Sequence, residues 1–220
     1  GIQQEHGVAM QETLSHTIVD KAVSAELQKG KTNVEAVASG VEQQVAEATQ
    51  ELQAEYGDAA KNVCADAMKE AKGYGDSRRE ILQGFDVEDL SPKGAAGICD
   101  KADNRVAIDK TYLERGSNEA EENAKIDAAN SIALHENRHK DQAATFDTDQ
   151  ITINGVVIRD IDLYEGDAIS AETEGTFDHT AEYKEHKRLH DIAVAATDKA
   201  TVAKAVESGK LADIEAALAA

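Results

Sequence analysis

Two histidines four residues apart, with a glutamate directly after the first, stand at His135-Glu136-Asn137-Arg138-His139. On an α-helix, residues i and i+4 share a face, so both imidazoles can reach one metal ion. Glu136 then lies beside that metal, placed to take a proton from a bound water. This is the chemistry of a zinc hydrolase. The pattern fixes only three residues, so its surroundings decide how much it means.

The surroundings favour a helix. Residues 118–144 contain neither Gly nor Pro. Asn118 is placed to cap the start, Glu121 follows three residues later, and Glu119 and Glu122 put negative charge near the positive end of the dipole. Ala128, Ile132, His135 and His139 follow steps of 4, 3 and 4, which mark one helix face. The histidines therefore extend an apolar stripe.

A catalytic zinc site needs a third protein ligand and an open position for water. One metalloprotease pattern puts a third His six residues after the second. That position is Thr145, so the ligand should be a carboxylate further on. The segment from Tyr164 to Glu172 reads as a second helix bearing acids. Glu165 ranks first, then Glu172, then Asp167 and Glu174. Glu165 and Glu172 are seven residues apart and can face one way, while Asp167 points elsewhere.

On these residues the chain resembles the zincin metallopeptidases, and within them the gluzincins, whose third ligand is a Glu on a later helix. The strand-like Asn104-Arg105-Val106-Ala107-Ile108-Asp109, then Ser131 to His139, then Glu165-Gly166-Asp167-Ala168 follow in that order. The resemblance spans roughly residues 94–180. It implies Zn2+ held by His135, His139 and Glu165, with Glu136 as general base in peptide-bond hydrolysis. It also implies that the strand around Val106 to Ile108 aligns an extended peptide or protein substrate by edge pairing. The chain departs from the family at Ile169. Many members carry an Asp there, four residues after the ligand Glu, supporting a ligand His. An acceptor for the ring nitrogens is still expected, and the sequence does not name it.

The elements that must position these groups come from patterning. The fold class expected is α+β and mainly helical: a small zincin-like core with a short antiparallel sheet or hairpins, and added helices at both ends. Residues 1–73 read as a helical hairpin or small bundle and 74–220 as the metallopeptidase domain. Met10, Leu14, Ile18, Ala22 and Ala25 form one stripe. Gly30 closes that helix, and Thr32 or Asn33 caps the next. Val34, Val37, Val41, Val45, Ala48 and Leu52 form a coiled-coil-like seam. A third helix runs from Gly57-Asp58 through Cys64 to about Lys72. These helices could be a structural layer, a pro-segment over a cleft, or an arm for self-association.

Gly73-Tyr74-Gly75-Asp76 reads as a linker, followed by a short helix from Ser77 to Leu82. Ser91-Pro92-Lys93-Gly94 is a turn. Ile98 to Ile108 could form a hairpin turning at 102–104. Gln150 to Arg159 is the clearest hairpin, since Asn154-Gly155 suits a type I′ turn. Beyond it, His179 or Tyr183 could donate a hydrogen bond to a developing oxyanion. His186 and His190 read as solvated helix histidines. Residues 198–220 read as Ala-rich helices broken at Ser208-Gly209.

Composition excludes several classes. The 220 residues carry a formal charge of −20, which opposes binding to nucleic acid or anionic lipid. Only 4% of residues are aromatic against 41% hydrophobic, so helix-on-helix packing should dominate the core. No apolar run approaches the ~20 residues of a membrane span, and no phosphate-binding or nucleophile-elbow motif is present. The chain begins at Gly1, which leaves a removed export signal open and the compartment unknown. Cys64 and Cys99 could form a disulfide in an exported protein, be buried thiols, or supply a thiolate that caps the zinc. Two other functional classes stand beside the hydrolase: a helical binding or assembly protein with a structural metal or none, and an effector or toxin protease domain of a longer chain.

Overall fold

A computed structural model describes residues 2–220, with the side chains of residues 7 and 10–220; Gly1 lies outside the described residues. The chain is a mainly helical α+β protein. Its elements are α1 (Ile2–Leu27), β1 (Thr32–Asn33), α2 (Val34–Tyr56), α3 (Lys61–Ile81), β2 (Asp86–Glu88), β3 (Gly97–Asp100), β4 (Arg105–Asp109), α4 (Glu119–Asp141), β5 (Gln150–Ile153), β6 (Val156–Arg159), α5 (Asp160–Ser170), α6 (Ala181–Ala196), α7 (Lys199–Ser208) and α8 (Ala212–Ala219). They fall into two compact units. One holds residues up to Ala96 together with Ala107–Ala129, and the other Gly97–Val106 with Asn130–Ala220.

The first unit is built on three helices. Val34, Val37, Val41 and Val45 are buried along α2, which packs on α3 and α1. Asn33 caps α2 by accepting from the Ala36 amide at 2.8 Å. The expected stripe on α1 is corrected. Met10 and Leu14 are 67% and 50% exposed, and the packed face is Ser15, Val19, Ala22, Val23, Glu26 and Leu27. Successive i+4 steps overshoot a turn by roughly 40° each, so a line made mostly of such steps winds away from the core.

The expected linker at 73–76, and with it a separate helix at 77–82, is also corrected: residues 73–81 lie within α3, and Leu82 is its C-cap. Each Gly in a helix interior costs about 1 kcal/mol, but here packing offsets it. Tyr74 is buried and donates to the Leu113 carbonyl at 2.6 Å. Gly75 lies against Ala38 of α2, and Arg78 is buried on Glu122 at 2.7 and 2.9 Å.

The larger sheet has the order β1-β2-β4-β3 and is mixed: β1 and β2 are antiparallel, β2 and β4 parallel. β4 is therefore an interior strand. The expected edge role of Val106 to Ile108 is overturned, because neighbouring strands already pair with both sides of the strand. The edge strands are β1 and β3.

The second unit buries the inner face of the β5–β6 hairpin, Ile151, Ile153 and Ile158, against Leu163, Leu189, Val202, Val206, Leu211 and Ile214 from α5, α6, α7 and the chain around α8. Asn154 and Gly155 take φ of 51° and 80° at the turn, the left-handed values a type I′ turn requires. The hairpin returns the chain from α4 to α5, which lets two distant segments share one site.

Candidate metal centre

α4 begins as its sequence dictates, with Asn118 Oδ1 accepting from the Glu121 amide at 2.9 Å. Its later turns bury Ser131, Ile132, Ala133, His135, Glu136 and His139. α5 brings Glu165 to the same place. One Gly makes that approach close: a Cβ on Gly166 would lie 2.2 Å from His190 Cβ on α6, so α5 and α6 pack almost backbone to backbone beside Glu165.

The Nε2 atoms of His135 and His139 are 3.1 Å apart. Glu165 Oε2 lies 3.1 Å from the first and 3.4 Å from the second. One donor atom from each of the three side chains falls within 4.8 Å of the other two. Two nitrogens each ~2.0–2.1 Å from a tetrahedral ion stand roughly 3.3 Å apart, close to the spacing found.

The outer partners decide which atoms face inward. His135 Nδ1 lies 2.8 Å from Glu172 Oε2, and the other Glu172 oxygen lies 2.7 Å from His179 Nε2. Burial pushes the Glu172 carboxyl up, but hydrogen bonds from His135 and His179 outweigh it and hold the group below its ordinary value. An ionised carboxylate only accepts, so both ring nitrogens donate to it. His139 Nδ1 meets Gln142 Oε1 at 2.6 Å, another acceptor. Each ring, when neutral, therefore carries its proton on the outer nitrogen and presents an Nε2 lone pair inward. Three electron-pair donors converge, and this donor set fits a divalent cation with imidazole and carboxylate preference.

A proton is the smallest cation that can fill the gap. Burial alone would lower the His135 value, but hydrogen bonds to Glu165 and Glu172 raise it to about 9. Burial raises Glu165, and the two histidines outweigh that and hold it well below its ordinary range. Glu136 is pushed up, first by burial, with the histidines opposing and Glu165 and Glu172 adding.

The other expected residues divide. Glu172 is no part of the three-donor group. α5 ends at Ser170, so Glu172 and Glu174 lie past the helix that was expected to carry them. The Glu172 segment is fastened to α4 by Ser131, which contacts Thr173 and Thr176. Glu172 thus supplies the acceptor that Ile169 cannot, seven residues after Glu165. Asp167 pairs with Arg138 at 2.7 Å, and Glu174 is exposed. Tyr183 is half-buried, its ring 6.3 Å from that of His135, and burial first and then Glu165 push its phenol up to about 12. His179 stacks on Tyr183 at 5.8 Å and spends Nε2 on Glu172.

His186 and His190 are not solvated but buried against α5. Asp162 accepts from His186 Nδ1 at 2.8 Å, and the spacing alone could not reveal that their face meets another helix. Both cysteines are free. Cys64 is buried near the Thr49 carbonyl. The Cys99 thiol is pushed up by burial and then by the charge of Glu136, and it is not among the convergent donors.

Sequence reasoning missed Gln142 and Tyr164. The first lies three residues after His139, one helical turn away, which was the available signal. The second immediately precedes Glu165, and its ring stacks on His139 with centroids 4.2 Å apart.

No family model, no curated protein and no solved structure matches this chain. Its chemistry must be read from its own residues.

Proposed function

We propose that this protein is a zinc-dependent hydrolase of peptide bonds. The observation that carries the reading is the convergence of His135 Nε2, His139 Nε2 and Glu165 Oε2, with both ring protons drawn outward by Glu172 and Gln142. Zinc held there would supply a water of lowered pKa and a Lewis acid for the scissile carbonyl. Only one group of three such donors exists among the described residues. Three protein ligands leave a position for water, which favours a catalytic over a structural site.

Glu136 takes the proton of the attacking water and returns it to the leaving amine. Burial raises its value, which makes the carboxylate a stronger proton acceptor. Tyr183 stays protonated at neutral pH and can donate to the developing oxyanion. His179 spends its Nε2 proton on Glu172, and the other nitrogen of a neutral imidazole only accepts, so the oxyanion role falls to Tyr183. An extended peptide would pair along the outer edge of β3, one of the sheet's two edge strands.

The test is the metal content of protein purified without added metal, for the parent and for His139→Ala, followed by digestion of casein and a peptide library. Stoichiometric zinc in the parent, none in the variant, and cleavage abolished by a chelator are expected. Zinc without cleavage would point to a structural centre, and a parent that holds no zinc would end the reading.

A further inference from the structure

We infer that Gln142 is the positioning residue of this centre: its one buried amide sets the inward nitrogen of His139 and locks the Glu165 helix onto α4. The inference rests on the metal-centre reading and adds to it a residue outside the motif that holds two ligands together.

The amide has only one chemically acceptable orientation. Gln142 Nε2 lies 2.8 Å from the Tyr164 carbonyl and 2.8 Å from Asp167 Oδ2. Both are acceptors only. Turned over, the amide would set its oxygen against two oxygens in a buried place, where unpaired polar atoms are costly. Nε2 must therefore face α5, and Oε1 must face His139 Nδ1, 2.6 Å away. An amide oxygen cannot donate. His139 Nδ1 accordingly carries the proton, and the Nε2 lone pair is left towards Glu165.

The surroundings hold Gln142 in that pose. Asp167 is fixed by Arg138 at 2.7 Å, and Arg138 also pairs with Glu207 at 2.6 Å. Lys101 Nζ donates to the His139 carbonyl at 2.6 Å and to the Gln142 carbonyl, closing the end of α4. On the far side, the Tyr164 carbonyl that Gln142 binds belongs to the residue just before Glu165, and the Tyr164 ring covers His139. Moving Gln142 frees the His139 ring and the backbone beside Glu165 together. The two histidines are thus supported differently. The Glu172 carboxylate steadies the rings of His135 and His179, whereas Gln142 bonds the ring of His139 and the backbone beside Glu165.

Nitrogen-15 NMR of the metal-free parent reads the histidine tautomers directly and needs no variant. His139 should carry its proton on Nδ1; a proton confined to Nε2 overturns the assignment. Zinc affinity is then measured by competition with a chelating dye for the parent, Gln142→Leu, Gln142→Glu and Glu172→Gln. Loss of an outer partner of a ligand histidine typically weakens metal binding roughly 10–100-fold. Gln142→Leu should fall at the upper end, below Glu172→Gln. Gln142→Glu, which keeps an acceptor for His139 but faces Tyr164 and Asp167 with oxygen, should also weaken. A folded Gln142→Leu that binds zinc as the parent does overturns the proposal. A parent that takes up no zinc fails the metal reading instead, and the tautomer of His139 still decides whether Gln142 sets that ring.

Discussion

The Nε2 atoms of His135 and His139 lie 3.1 Å apart and face one oxygen of Glu165. Two lone pairs and a carboxylate at that spacing repel unless a cation stands among them. The helix sets the two rings on one face. Glu172 and Gln142, neither in the HExxH motif, turn them inward.

Replacing the base should separate binding from chemistry. Glu136→Gln removes the proton acceptor and touches none of the three convergent donors. Zinc content should stay at the parent level while peptide cleavage falls roughly 10²–10⁴-fold. The two are read by elemental analysis and by hydrolysis of a fluorogenic peptide. Cleavage at the parental rate would remove Glu136 from the mechanism.

A metal in the proposed centre would compete with a proton for the same gap. The His135 value rises from near 6.5 to about 9 in the folded protein. A raised value stabilises the fold fully below the unfolded value and ceases to do so as pH climbs through the folded one. The metal-free protein should therefore lose this contribution between about pH 6.5 and 9. Zinc must displace the same proton, so its affinity should rise across that window. Thermal melts with and without zinc should diverge as pH increases; a gap independent of pH would contradict the shared site.

Glu172 serves two histidines. Glu172→Ala should weaken zinc binding roughly 10–100-fold and release the His179 ring, visible as changed His179 resonances. If affinity and the His179 signals both stay as in the parent, the two hydrogen bonds at 2.8 and 2.7 Å are not operative in solution.

Gly166 has no room for a methyl group. Its Cβ would lie 2.2 Å from His190 Cβ and 2.9 Å from the His186 carbonyl. Gly166→Ala must push α5 from α6, at a cost of typically about 1–3 kcal/mol for overpacking. A chemical denaturation midpoint should drop accordingly, with weaker zinc binding because Glu165 is the adjacent residue. A variant of unchanged midpoint would show that the helices separate freely.

Much of this protein was legible in the chain. The i, i+4 histidines, the Asn118 cap and the unbroken run to Ala144 determine a helix with two imidazoles on one face, because helical geometry is local. The Asn154-Gly155 turn and the Gly209 break are equally local, since each needs left-handed backbone. Glu165 was preferred on its place in a second acidic segment and on family resemblance.

What lay beyond the sequence is long-range. Whether Glu165, Glu172 or Asp167 meets the histidines depends on where α5 ends and how the β5–β6 hairpin returns it. The seven-residue spacing of Glu165 and Glu172 could not show that the helix stops between them. Gln142 needed both α4 and α5 in place before its amide had partners. The burial of His186 and His190, the exposure of Met10 and Leu14, and the interior place of β4 also follow from what packs alongside. Local periodicity gives each residue a direction; only the assembled neighbours decide whether that direction meets water, a core or a ligand.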